Sequence, residues 1–94
     1  MAGNTNSNKQ KFIIRNKLGL HARPAAMFVK LANTFKSEIW VEFEEDEVNG
    51  KSIMGLMMLA APSGSEIYVS AKGEDAEVAL VALGNLVEGG FEES

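Results

Sequence analysis

His21 is the chain's one histidine, and it lies in the run Leu18-Gly19-Leu20-His21-Ala22-Arg23-Pro24. Imidazole is the side chain that offers a nucleophilic nitrogen near neutral pH. Arg23, two residues on, supplies a forked donor suited to phosphate oxygens. Gly19 lets the backbone come close and take turn conformations that other residues resist. Pro24 suits the first turn of a helix, where its missing N–H costs nothing. A helix starting here turns unpaired backbone amides, that of Ala22 among them, and the positive end of its dipole toward an anion. A phosphorylated ring would hold about two negative charges beside the same donors. The chemistry indicated is phosphoryl acceptance and release, which asks chiefly for position and charge stabilisation. Spacing alone does not decide it, because a lone histidine at a helix start is more often a cap or a surface residue.

Composition narrows the alternatives. The 94 residues are enough for one small domain with a single core. A hydrophobic share of 46% and a charged share of 23% exclude disordered and membrane classes. The absence of cysteine removes disulfides, zinc–thiolate sites, iron–sulfur clusters and thiol nucleophiles. With a single histidine as well, no metal and no cofactor are expected. The net charge of −4 argues against nucleic acid as a partner. Apolar runs fall far short of the roughly 18–20 residues of a membrane span, and Met1–Asn8 has no secretory character. A monomer in the cytoplasm is the expectation. Acidic residues gather at Glu42–Glu47 and Glu88–Ser94, whereas Arg15, Lys17, Arg23, Lys30 and Lys36 surround His21 and suggest a local positive face for an acidic partner.

The elements that must position His21 follow from periodicity. Gln10–Arg15 alternates, with Phe12 and Ile14 on one side, as a half-buried strand does. The pattern breaks at Asn16–Leu20, and a helix is predicted from Ala22 to about Asn33, with Ala25, Phe28, Val29, Ala32 and Phe35 forming its apolar stripe. Ser37–Phe43 returns to period two, and Glu47–Gly50 reads as a short partner strand across a charged turn. Ser52 is placed as the N-cap of a short helix through Leu59. Glu66–Lys72 alternates again, and Asp75 stands as a cap for a last helix whose buried face is Ala76, Ala79, Leu80, Leu83, Leu86 and Val87. The order β-α-β-β-α-β-α predicts an α+β fold, a four-stranded antiparallel sheet with three helices on one face. The domain is predicted over residues 10–90, between a disordered lead-in at 1–9 and an acidic tail at 91–94. Trp40 and Tyr68 read as single outward aromatics, unlike the interleaved pair of an RNA-binding sheet.

Leu18-Gly19-Leu20-His21-Ala22-Arg23-Pro24-Ala25-Ala26 resembles the phosphohistidine motif of the HPr family of the bacterial phosphoenolpyruvate-dependent phosphotransferase system. Asn49-Gly50-Lys51-Ser52-Ile53-Met54-Gly55-Leu56 resembles that family's regulatory-serine segment, at the expected separation. The resemblance covers about residues 10 to 90 and implies the family's open-faced β-sandwich. It implies that enzyme I, charged by phosphoenolpyruvate, phosphorylates His21 on Nδ1, with Arg23 beside it, and that the group passes to a IIA protein or domain. The carrier would turn nothing over without those partner enzymes. Ser52 matches the serine modified by HPr kinase/phosphorylase, whose phosphate would repel an acidic partner. Leu18 stands where many sugar-transport members have a small polar residue. The runs Asn16-Lys17-Leu18-Gly19 and Gly90-Phe91-Glu92-Glu93 are similar to NPr, so both sugar uptake and a nitrogen-related regulatory branch are implied.

Seven apolar or glycine residues in a row, Ile53–Leu59, cannot all face the core from so short a helix. Flexible methionines suit a surface that must fit several partners. Leu20, Met27, Ile53, Met54 and Met57 are therefore expected to form a docking patch around His21, with Leu56 and Leu59 inward. The competing reading is an HPr-like regulatory module that acts by binding a transcription factor or metabolic enzyme, and the presence of His21 counts against it.

Overall fold

The computed structural model describes residues 7–92. Strand β1 (Ser7–Ile13) leads to helix α1 (Ala22–Ala32), followed by the hairpin β2 (Glu38–Phe43) and β3 (Asp46–Asn49). Helix α2 (Ile53–Leu59), strand β4 (Glu66–Lys72) and helix α3 (Ala76–Glu88) complete the order, and a 3-10 turn at Gly90–Glu92 closes the chain. The strands form one antiparallel sheet in the order β1-β4-β2-β3. This is the predicted open-faced α+β sandwich.

Alternation fixes which side of each strand is buried. Phe12, Ile39, Val41, Ile67, Val69 and Ala71 meet the helices, where Ala25, Phe28, Val29, Leu56, Leu59, Leu80 and Leu83 cover them. Gly84 lets α3 lie close on β1, since a Cβ there would come within 2.6 Å of the Phe12 ring. Among the described residues no helix lies over the other side of the sheet. Pairing of β2 with β4 sets Trp40 opposite Ser70 and Glu42 opposite Tyr68, so the two aromatics are diagonal neighbours on that open face rather than isolated.

The boundaries of the domain move outward at both ends. Ser7 through Lys9 belong to β1 and pair with Lys72 through Ser70 of β4, so only the first six residues of the predicted lead-in lie outside the described residues. At the other end, Phe91 is 0% exposed and joins the core. It takes a left-handed conformation with φ 55°, held there by its burial. The predicted tail is thus domain through Glu92, and the last two residues lie outside the described ones. Asp75 is the N-cap of α3 by position, yet its side chain makes no cap hydrogen bond. Its carboxylate accepts instead from the amides of Lys36 and Ser37 and from the Ser37 hydroxyl, tying the start of α3 to the entry of β2.

Candidate functional site

His21 is the N-cap of α1, with φ −95° and ψ −168°, and its carbonyl accepts the first intrahelical bond from Ala25 at 3.0 Å. Ala22 and Arg23 are the first two helical positions and both are exposed, while Pro24, in third place, is buried. Helix geometry leaves the amides of Ala22 and Arg23 outside the intrahelical ladder, and Pro24 has none to leave. No acidic residue stands in this first turn, so nothing there offsets the positive end of the helix dipole. The imidazole is half-buried and does not cap the helix.

The loop before the helix is fixed from below. The buried Asn16 side chain donates to the Gly19 carbonyl at 2.7 Å, and the Gly19 amide donates back to the Asn16 carbonyl at 3.2 Å. Gly19 has φ +73°, and a Cβ there would stand 2.4 Å from the Ala61 carbonyl oxygen. The next amide, Leu20, donates to that same carbonyl at 2.9 Å, and His21 N–H donates to the Gly19 carbonyl at 2.9 Å. The chain therefore reaches His21 along a path welded to the segment that follows α2.

Helix α2 packs against α1. Ser52 caps it, its hydroxyl accepting from the Gly55 amide at 2.9 Å. Lys51 Nζ donates to the Phe35 carbonyl at 2.8 Å, which ties the entry of α2 to the chain just beyond α1. Leu56 and Leu59 point inward, whereas Ile53, Met54 and Met57 are exposed, Met54 by 73%. Met27 is half-buried on the core.

Leu20 departs from the expected docking patch. It is only 5% exposed and lies in the core, because Gly19 turns the chain so that the next side chain points inward while its amide bonds Ala61. Leu18 and Met58, by contrast, are exposed. Leu18 sits at the tip of the Asn16–Gly19 turn, where a local apolar pattern gives no warning of exposure. The basic surroundings of His21 are also reduced by one, since Arg15 is engaged with Glu88 at 3.2 Å. Among the described residues no group of His, Cys, Asp and Glu is arranged to hold a metal ion, and no helix is long and apolar enough to cross a membrane.

The family described as PTS HPr component phosphorylation site matches residues 8–89. The chain belongs to the HPr family. Phosphocarrier protein HPr of Neisseria meningitidis serogroup A is 52% identical over 85 residues, covering 90% of this chain and 96% of that protein. The crystal structure of HPr-C-His from Thermoanaerobacter tengcongensis superposes with a TM-score of 0.88 at 48% identity, covering 93% of this chain and 98% of the other. Crh of Bacillus subtilis, described as a catabolite repression protein and seen as a swapped dimer, gives a TM-score of 0.73 at 48% identity over 86% of this chain and 93% of its own. Family membership makes this a phosphocarrier of the phosphotransferase system, an HPr-type protein working with enzyme I and IIA proteins. A dimer among structures this similar means that the expected monomer does not follow from the family.

Proposed function

We propose that His21 takes a phosphoryl group from phosphoenolpyruvate-charged enzyme I and passes it to a IIA protein. The observation that carries this reading is the seating of the imidazole. Its Nε2 is shut off from solvent, which leaves Nδ1 as the ring nitrogen for an incoming phosphoryl group, next to the amides of Ala22 and Arg23. The Nδ1 lone pair forms the new P–N bond as the bond from phosphorus to the donor breaks, and the ring proton stays on Nε2. The phosphoryl oxygens then face the two first-turn amides, and the exposed Arg23 guanidinium swings in as a forked donor. Release to the IIA protein reverses the step.

Exposed Leu18, Ile53, Met54, Met57 and Met58, with Met27 at the margin, form the docking surface in this account, with flexible thioethers that refit to enzyme I and to the IIA protein in turn. Ser52 is the regulatory position. A phosphate replacing its hydroxyl would put about two negative charges at the edge of that apolar surface and repel an acidic partner. HPr kinase/phosphorylase is the enzyme that would act there. Similarity to Crh supports a second role, in which the same surface binds a transcription factor or metabolic enzyme under control of Ser52.

The test is a relay with enzyme I, phosphoenolpyruvate and a IIA protein of either the sugar or the nitrogen-related type. The parent chain should label the IIA protein and His21→Ala should not. Equal labelling through His21→Ala overturns the proposal, and partner binding indifferent to His21 but switched by Ser52 phosphorylation favours the second role. The type of IIA protein labelled faster assigns the branch.

A further inference from the structure

The open face of the sheet is organised by charge. On β1 it presents Lys9 and Lys11, and on β4 Glu66, Tyr68, Ser70 and Lys72, following the pairing of Lys9 with Ser70 and Lys11 with Tyr68. On β2 it presents Glu38, Trp40 and Glu42, and on β3 Glu47 and Asn49. The β1–β4 half is thus mainly cationic and the β2–β3 half wholly anionic. Trp40, 37% exposed, and Tyr68, 40% exposed, lie in the two central strands. Aromatic residues at the centre with charge toward the edges is the composition of a protein contact surface.

We propose that this face binds a second copy of the chain, the two sheets stacked about a two-fold axis that runs parallel to the strands. That rotation exchanges the edges of the sheet. It lays Lys11 of one copy over Glu47 of the other and Lys72 over Glu38, twice over, and brings both aromatic pairs to the middle. A two-fold axis running across the strands would set like charges over like, so the charge pattern selects one arrangement. The ion pairs now on the face do not oppose the exchange. Lys9 reaches over the Tyr68 ring to Glu42 at 3.0 Å, and Lys11 reaches Glu66 at 3.7 Å, all on exposed side chains. Exposed pairs of this kind are weak and trade partners at little cost.

Size sets the strength. Four strands about 4.8 Å apart and some seven residues long give a footprint of roughly 400 Å² per copy. This is about half the usual share per partner, so a dissociation constant on the order of 0.1–1 mM is expected. The helices lie on the opposite side, so the contact leaves His21 and α2 open to enzyme I and the IIA protein.

Sedimentation velocity and amide chemical shifts, followed from millimolar to micromolar protein, test the proposal. The parent chain should approach a dimer at the top of the range, with dilution shifts on Trp40, Tyr68 and their neighbours. Lys11→Glu/Lys72→Glu makes the face wholly negative in its paired rows, and Glu38→Lys/Glu47→Lys makes it positive. Each variant alone should weaken self-association by at least about tenfold, and their equimolar mixture should restore it. Trp40→Ala should weaken it with all charges in place. Circular dichroism and unchanged phosphoryl acceptance on His21 establish that the variants fold. A parent that stays monomeric at millimolar concentration, a mixture that stays monomeric, or dilution shifts confined to α1 and α2 would each overturn the proposal.

Discussion

The side chain of Asn16 donates to the carbonyl of Gly19 at 2.7 Å inside the protein, two residues before His21. That bond holds the turn whose end sets the backbone of His21. Asn16→Ala removes one of the two donors to the buried Gly19 carbonyl and leaves the His21 amide as the other, a loss of about 1 kcal/mol. Urea unfolding should show the loss, and the rate of phosphorylation by enzyme I should fall further than stability alone explains. A variant with unchanged unfolding and unchanged phosphorylation would remove Asn16 from the account.

Gly19 carries a stronger constraint. Its φ of +73° and the 2.4 Å approach of a built Cβ to the Ala61 oxygen leave no room for a side chain. Gly19→Ala must shift the loop away from the segment after α2 and break the Leu20-to-Ala61 bond. The expected cost is about 2–3 kcal/mol, with a marked drop in phosphoryl acceptance even where circular dichroism shows the fold retained.

Much of this arrangement was legible from local patterns, and the exceptions share one cause. Strand alternation, the α1 stripe, the Ser52 cap and the inward Leu56 and Leu59 each depend on residues close in sequence, and each matches the fold. Leu20 turned inward because of a hydrogen bond to Ala61, a contact that no local window contains. Phe91 was hidden among acidic residues, yet it anchors the end of the chain in the core. Trp40 and Tyr68 became neighbours only because β4 inserts between β1 and β2, an order that sequence does not announce. Asp75 stood at a cap position, but its carboxylate serves the backbone of Lys36 and Ser37 across the fold.

The β2–β3 hairpin holds a correctable flaw. Glu44 and Glu45 both have positive φ, 51° and 76°, the pattern of a two-residue type I′ turn that favours Asn-Gly. Glu44→Asn/Glu45→Gly should raise stability by about 1 kcal/mol, read as a higher urea midpoint. A lower midpoint would show that the acidic turn contributes something its backbone does not reveal.

Acid should weaken the fold through Asp75 and Glu88. The Ser37 hydroxyl, with the amides of Lys36 and Ser37, holds the Asp75 carboxyl below its ordinary value. The Ile13 amide, at 2.8 Å, with Arg15 beside it, does the same for Glu88. Both groups bind protons less readily folded than unfolded, so their stabilisation is complete above about pH 5 and is lost as pH falls through the folded values. Urea midpoints should drop through that window, and Asp75→Asn with Glu88→Gln should flatten the slope. An unaltered slope would exclude both groups.

Ser52 separates its two roles by substitution. Ser52→Ala removes the acceptor for the Gly55 amide and should cost about 1 kcal/mol, while His21 still accepts phosphate from enzyme I. Ser52→Asp keeps a cap but adds charge beside Ile53 and Met54, and should slow that transfer. Equal rates for the two variants would leave Ser52 as a cap alone.

The central claim is that the phosphoryl group resides on His21. Phosphorus NMR and site-resolved mass spectrometry of the chain after incubation with enzyme I and phosphoenolpyruvate test it most directly. One phosphoryl group per chain on Nδ1 of His21, labile in acid, stable in base and absent from His21→Ala, is the predicted result. A label that survives acid, maps to another residue or persists in His21→Ala would contradict it.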